Sequence, residues 1–168
     1  LALDSRALAA ALDDVFASVS PERAIHEVVE PVAIEIGRLW EEGTCSVASE
    51  HLASDQFLDR IRRLLSAVQP PEEAPLCVAA CFPDEQHQLG LAILSWHLAR
   101  RGVRVAYLGA ALPLEDLVRA CEVAPPRGVL LTVTRSAIFT RHRAGVLKHS
   151  ARGALGPCVF VGGQGVPA

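Results

Sequence analysis

The sequence predicts an α+β two-part module, a helical bundle over residues 1–68 followed by a parallel-sheet α/β domain over 76–168. Three observations predict it. As far as Val68 the apolar residues recur at intervals of three and four, the helical period. The stretch QPPEEAP at 69–75 is proline-rich and acidic, the composition of a linker. Beyond it, short apolar runs alternate with helix-length segments, the pattern of a parallel sheet covered on both faces.

The first helix is expected over 4–17, with Leu8, Leu12 and Val15 on its inner face. Ser20-Pro21-Glu22 opens the second: a hydroxyl cap, a proline at the first helical position, and an acid near the positive end of the dipole. Ile25, Val29, Val32, Ile36 and Leu39 form one unbroken stripe, and Pro31 inside it predicts a kink. Glu41-Glu42-Gly43 ends this helix. The third starts near Ser46 and runs to about Val68, along Val47, His51, Ser54, Leu58, Ile61 and Leu65. Its first two turns thus place an imidazole and a hydroxyl on a stripe that should be buried, with Trp40 just across the connection. Short connections make these helices an antiparallel bundle.

After the linker, LCVAAC (76–81), VRVAYL (103–108), GVLLTV (128–133) and CVFVGG (158–163) read as four strands. Helices are expected over 88–101, 113–122 and 137–150, and Gly102 supplies the left-handed residue that ends the first of them. With right-handed crossovers this is a flavodoxin- or Rossmann-like sheet. A complete domain of this kind has a fifth strand and closing helix, expected beyond Ala168.

At 51% hydrophobic and 21% charged, the 168 residues can bury a core. A net charge of −3 gives no footprint for nucleic acid. Arg135, Arg141, Arg143, Lys148 and Arg152 form a basic run that reads as a solvated helix face. Five cysteines, with Cys77 and Cys158 in strand-like runs, suggest buried free thiols in a reducing cytoplasm. No apolar run approaches the ~20 residues of a membrane span, and no basic-then-apolar leader opens the chain.

In an open parallel sheet, ligands bind at the carboxyl ends of the strands, where strand order reverses. Three features converge there: the loop PDEQHQLG (83–90), the hydroxyls Thr132, Thr134 and Ser136, and the glycines Gly162, Gly163 and Gly165. No GxGxxG or GxxxxGK[ST] is present, no aspartate ends the third strand, and no serine sits on a GxSxG elbow. His87, Asp84 and Glu85 are too few ligands for hydrolytic zinc. A lone loop histidine is usually only exposed or capping. Glu85 two residues earlier adds weight, because a ligating imidazole commonly gives its other N–H to a carboxylate. His51 and Trp40 are by default core residues. With Glu50, which points about a hundred degrees away around the helix from His51, they make an aromatic and polar cluster that a plain bundle does not need. Ala48, Ser49, Ala53 and Ser54 beside them are small and leave room for a bulky ligand.

Glu85-x-His87-x-x-Gly90, followed by Thr132, Thr134 and Gly162-Gly163, resembles the lower-ligand motif DxHxxG of cobalamin-binding domains. WEEGTCSVASEHLAS (40–54) resembles the signature of such domains in light-responsive, MerR-type transcriptional regulators, and YLGAALPLEDL (107–117) resembles the second strand and helix of the same group. The resemblance runs from about Ile25 to the end. It implies that His87 displaces the cofactor's own base from cobalt and that Glu85 holds the imidazole. The hydroxyls and the glycine turn would then line the slot for that base. It implies that residues 1–68 cap the upper face of the corrin through Trp40, Glu50, His51 and Ser54, with adenosylcobalamin as the cofactor. It further implies a cytoplasmic, non-enzymatic sensor that forms homo-oligomers and reaches DNA through a separate helix-turn-helix domain or a partner transcription factor, without a membrane. The alternative is a corrinoid carrier for methyl transfer, whose members generally lack the Trp-then-Glu-His signature. One departure stands out: the light sensors carry histidine after the tryptophan, where this chain has Glu41, so His51 is the remaining candidate for an upper ligand after photolysis.

Overall fold

The computed structural model describes residues 3–167, and the chain divides into two compact units, 1–60 and 61–168. In the first, α1 (Ser5–Ser18) is capped by Asp4, whose Oδ1 accepts the N–H groups of Arg6 at 3.1 Å and Ala7 at 2.9 Å. Asp4 is therefore the cap and not the first helical residue. Ser20 caps α2 (Pro21–Ala24), with Pro21 at the first helical position as expected.

The predicted kink takes a specific form. Between α2 and α3 (Glu30–Glu41) the helix opens into a π turn over Ile25–Val29, closed by the Glu30 N–H donating to the Ile25 carbonyl. Pro31 cannot donate, and in an α-helix its ring would press on the carbonyl four residues back. A wider turn just before it relieves that contact. The extra residue also rotates α3 relative to the turns before it, so the stripe is broken. Ile25, Val29 and Ile36 are buried, whereas Val32 is 39% exposed and the half-buried Ala33 takes its place on the inner face. Val32 instead joins Leu8, Ile36, Leu39, Leu52 and Phe57 around an apolar groove of about 460 Å³.

Gly43, at φ +73°, ends α3, and the N–H groups of Thr44 and Cys45 fold back onto the Leu39 carbonyl. Ser46 caps α4 (Val47–Ala67), its Oγ accepting the Ser49 N–H at 3.1 Å. Ser49, Ala53 and Phe57 form the inner face of α4, in line with the buried Cys45 just before it, all spaced by four. This corrects the sequence reading: Val47 and His51 are exposed, and only Leu58 and Ile61 of that stripe are fully buried. The Arg60 guanidinium ties α4 to α1, donating to the Ala9 carbonyl and to Asp13, both at 2.7 Å.

In the second unit, β1 (Leu76–Cys81), β2 (Arg104–Gly109), β3 (Gly128–Thr132) and β4 (Val159–Gly162) form one parallel sheet in the order β2-β1-β3-β4. Alternation along the buried strands sorts the core into two layers. Val78, Ala80, Val129 and Leu131 pack with Leu117 of α6 (Leu114–Val123) and with Ile138 and Val146 of α7 (Ser136–Ala151). Cys77, Ala79, Cys81 and Leu130 pack with Leu91 of α5 (Leu89–Arg100). Helices therefore cover both faces, and Gly102 at φ +80° closes α5 as predicted. Strand order reverses between β1 and β3, which puts the crevice at their carboxyl ends. All five cysteines are free thiols, but Cys158 is exposed, because it precedes the edge strand β4 and does not lie within it. Among the described residues no helix is long and apolar enough to cross a membrane.

Candidate functional site

The crevice is built around one carboxylate. Glu85 follows β1, is completely buried, and accepts four hydrogen bonds. Oε1 takes the His87 backbone N–H at 2.9 Å and lies 2.6 Å from His87 Nδ1. Oε2 takes the N–H groups of Thr134 at 2.7 Å and Arg135 at 3.2 Å. Burial pushes this carboxyl up, but the His87 and Thr134 N–H groups, the His87 ring and the Arg135 N–H together outweigh it. The net result lies below the ordinary glutamate range. Beside an ionised Glu85 the short contact puts a proton on His87 Nδ1, so in the neutral imidazole the lone pair lies on Nε2. The imidazole is 57% exposed, and Nε2 has no partner among the described residues. Its geometry is that of a metal ligand oriented by an outer carboxylate. Among the described residues no cluster of three or more His, Cys, Asp or Glu could hold a metal ion.

The predicted residues around it divide into those that face the crevice and those that build it. Thr132 ends β3 and donates its hydroxyl to the Cys81 sulfur at 3.5 Å. Thr134 contributes its backbone N–H to Glu85. Gly163, at φ +115°, lies so close to Val133 that a Cβ would overlap that residue's carbonyl oxygen. Gly162 and Gly90 meet nothing within 4 Å and leave open space above the backbone.

Sequence reasoning missed a second layer. Gln88 Oε1 accepts from Arg62 at 2.8 Å and from the Tyr107 hydroxyl at 3.0 Å, with the Arg62 guanidinium 5.6 Å from the Tyr107 ring centre. Burial pushes the Tyr107 hydroxyl up to about 12, so it stays a donor. The signal that could have found it is that this is the chain's one tyrosine, set in a mostly aliphatic strand. Ala111, at φ +50°, donates its N–H to the Glu85 carbonyl at 2.8 Å and so fastens the β2–α6 loop to the same residue.

In the helical unit, Trp40 near the end of α3 is 48% exposed and is not core. Glu50 accepts the Ser54 hydroxyl at 2.6 Å and lies 3.5 Å from His51 Nε2, so the neighbouring acid and imidazole do meet despite their angular separation. The His51 side chain is 74% exposed. Of the four small residues, Ser49 and Ala53 face inward as core, and Ala48 and Ser54 remain on the outer side.

Residues 1–65 match the family model described as B12 binding domain. The chain is 39% identical over 135 residues, 80% of its length, to the HTH-type transcriptional repressor CarH of Myxococcus xanthus. It is 33% identical over 164 residues, 98% of its length, to the HTH-type transcriptional repressor CarA of the same organism. It spans 45% and 55% of those two relatives, about half of each. Among solved structures, the Methanosarcina barkeri monomethylamine corrinoid protein shares the fold at a TM-score of 0.75 and 13% identity, covering 96% of this chain and 84% of that one. Residues 1–65 thus carry a B12-binding domain, and the chain is homologous over most of its length to the repressors CarH and CarA.

Proposed function

We propose that this chain is the sensory module of a transcriptional regulator and binds one adenosylcobalamin with the cofactor's own base displaced and His87 as the lower ligand. The observation that carries it is the Glu85–His87 pair: a buried carboxylate 2.6 Å from Nδ1, with Nε2 free of any partner among the described residues. The donor chemistry fits cobalt in a corrin, which needs one axial nitrogen and no protein cage. Gly90 and Gly162 leave room for a large planar ligand against the backbone. Thr132, Thr134 and the Gly162-Gly163 turn wall the slot for the displaced base.

Residues 1–68 serve the upper face, with 69–75 as linker and 76–168 as the lower-ligand domain. Trp40 presents an exposed indole to the adenosyl group, while Glu50, tied to Ser54, and His51 supply polar contacts. When bound, adenosylcobalamin supplies a cobalt–carbon bond that light cleaves. Glu41 is a hard oxygen donor where light sensors have imidazole, so His51 is the nitrogen available to the vacated face. The module changes its assembly state with light or cofactor occupancy and reaches DNA through a separate helix-turn-helix domain or a partner factor in the cytoplasm. It catalyses no reaction of its own.

Reconstitution of wild type and His87→Ala with adenosylcobalamin, followed by visible spectroscopy, tests the reading. The expected result is a changed cobalt-ligation spectrum and binding weaker by ~10-fold or more in the variant. Identical spectra in the two proteins would refute it.

A further inference from the structure

The β1–α5 loop contains a residue that its backbone alone would not choose. Phe82–Glu85 form a turn closed by the Glu85 N–H donating to the Phe82 carbonyl at 3.0 Å, with Pro83 second and Asp84 third at φ +67°. This is the type II pattern, whose third position suits glycine best. Aspartate tolerates the left-handed region better than most residues, yet still under strain.

Its side chain shows what the position gains. Asp84 Oδ2 takes His142 Nε2 at 2.9 Å and Arg141 Nη1 at 3.1 Å, both from α7. Those partners, His142 first, hold the Asp84 carboxyl below its ordinary range. The adjoining Glu85 holds the backbone N–H groups of Thr134 and Arg135, the residues that lead into α7. Successive carboxylates thus fasten one loop to one helix at two points, its entrance and its second turn. A loop held at a single point can pivot, and one held at two cannot. The Arg141 pair is exposed and adds little to folding stability, the His142 side chain is 23% exposed, and glycine would fit the turn better. The reason for aspartate therefore lies in position and not in stability.

We propose that Asp84 is a positioning residue for His87: its pairing with His142 and Arg141 clamps the β1–α5 loop to α7 and fixes the direction in which the imidazole presents Nε2 to cobalt. The proposal rests on the reading of His87 as the lower ligand.

Asp84→Gly separates geometry from folding, because it relieves the turn and removes the clamp together. The expected Tm is unchanged or raised. The fraction of bound cobalamin with a nitrogen lower ligand should nevertheless fall, measured by the nitrogen splitting in the paramagnetic resonance spectrum of the reduced cofactor. Affinity should drop roughly 10-fold, the low end for loss of an outer-shell partner. The double variant R141Q/H142Q, made from the other side, should lose ligation in the same way. His87→Ala is the control. If it leaves the cobalt spectrum unchanged, the lower-ligand reading fails and the clamp with it. If His87→Ala alters the spectrum while D84G and R141Q/H142Q ligate like wild type, the clamp alone is wrong. A loss of ligation in D84G that comes with a parallel fall in Tm would also overturn it, since that marks a folding defect.

Discussion

Replacing Glu85 by glutamine should damage fold and ligation by separable amounts. The carboxylate is fully buried and uses both oxygens, each accepting from two N–H donors. An amide has one oxygen and one NH₂ group. Directed toward Thr134 and Arg135, the oxygen keeps those two bonds, and the NH₂ then faces the His87 backbone N–H and ring. The backbone N–H is left facing a donor, at a cost of about 1–3 kcal/mol for one buried unsatisfied group. The ring can adapt only by making Nδ1 an acceptor, which moves the proton to Nε2 and blocks the atom assigned to cobalt. The reversed amide orphans the two N–H groups that enter α7, which is worse. Urea denaturation without cofactor should therefore show a loss of about 1–3 kcal/mol, and cobalamin affinity should fall by more than ~10-fold.

The pH dependence has a definite sign. The folded Glu85 carboxyl is lowered, so its contribution is fully present above the ordinary glutamate pKa of about 4.3 and is lost as pH falls through the folded value. The stability gap between wild type and E85Q should narrow on that acid limb and stay constant from there to neutrality. An E85Q protein as stable as wild type, or one binding cobalamin with an unchanged ligation spectrum, would refute this account of the site.

Three further variants have definite expected outcomes. Gly163→Ala places a Cβ into the Val133 backbone at φ +115° and should cost roughly 2–4 kcal/mol, whereas Gly162→Ala, with nothing within 4 Å, should stay within about 0.5 kcal/mol of wild type in urea denaturation while weakening cobalamin binding. His51→Ala should leave dark-state binding in place but abolish cobalamin retention after illumination and denaturation; equal retention in both proteins would end its role as upper ligand.

The sheet was legible because its central strands β1 and β3 are buried and its edge strands still stand out as largely apolar runs, so their limits agree within a residue or two. The helical faces were not, for two physical reasons. The π turn before Pro31 inserts a residue into the period, and no count of threes and fours anticipates it. In the first two turns of α4 the inward residues are small or polar, Ser49 and Ala53, while Val47 lies outside, so apolarity marked the wrong stripe there. Within the site, Glu85 and His87 could be read from their spacing because the contact is local. The role of Asp84 could not, since it depends on a left-handed turn and on partners 57 and 58 residues away.

The candidate residues of the two units also differ in how firmly they are held. His87 is fastened by ring and backbone to a carboxylate that has no solvent exposure, so presenting Nε2 requires little further ordering. Trp40 is about half exposed and the His51 side chain largely so, and the contact from His51 to Glu50 is long at 3.5 Å. Ordering such side chains against a ligand costs about 0.5–1.5 kcal/mol each. Affinity in this scheme therefore comes mainly from the pre-organised lower site. Discrimination between states of the upper face falls to residues whose positions depend on what they contact. A ligand shifts an equilibrium only through differential interactions with its two states. Groups that are ordered in one state and released in the other supply that difference, and on the proposed reading Trp40 and His51 are the candidates.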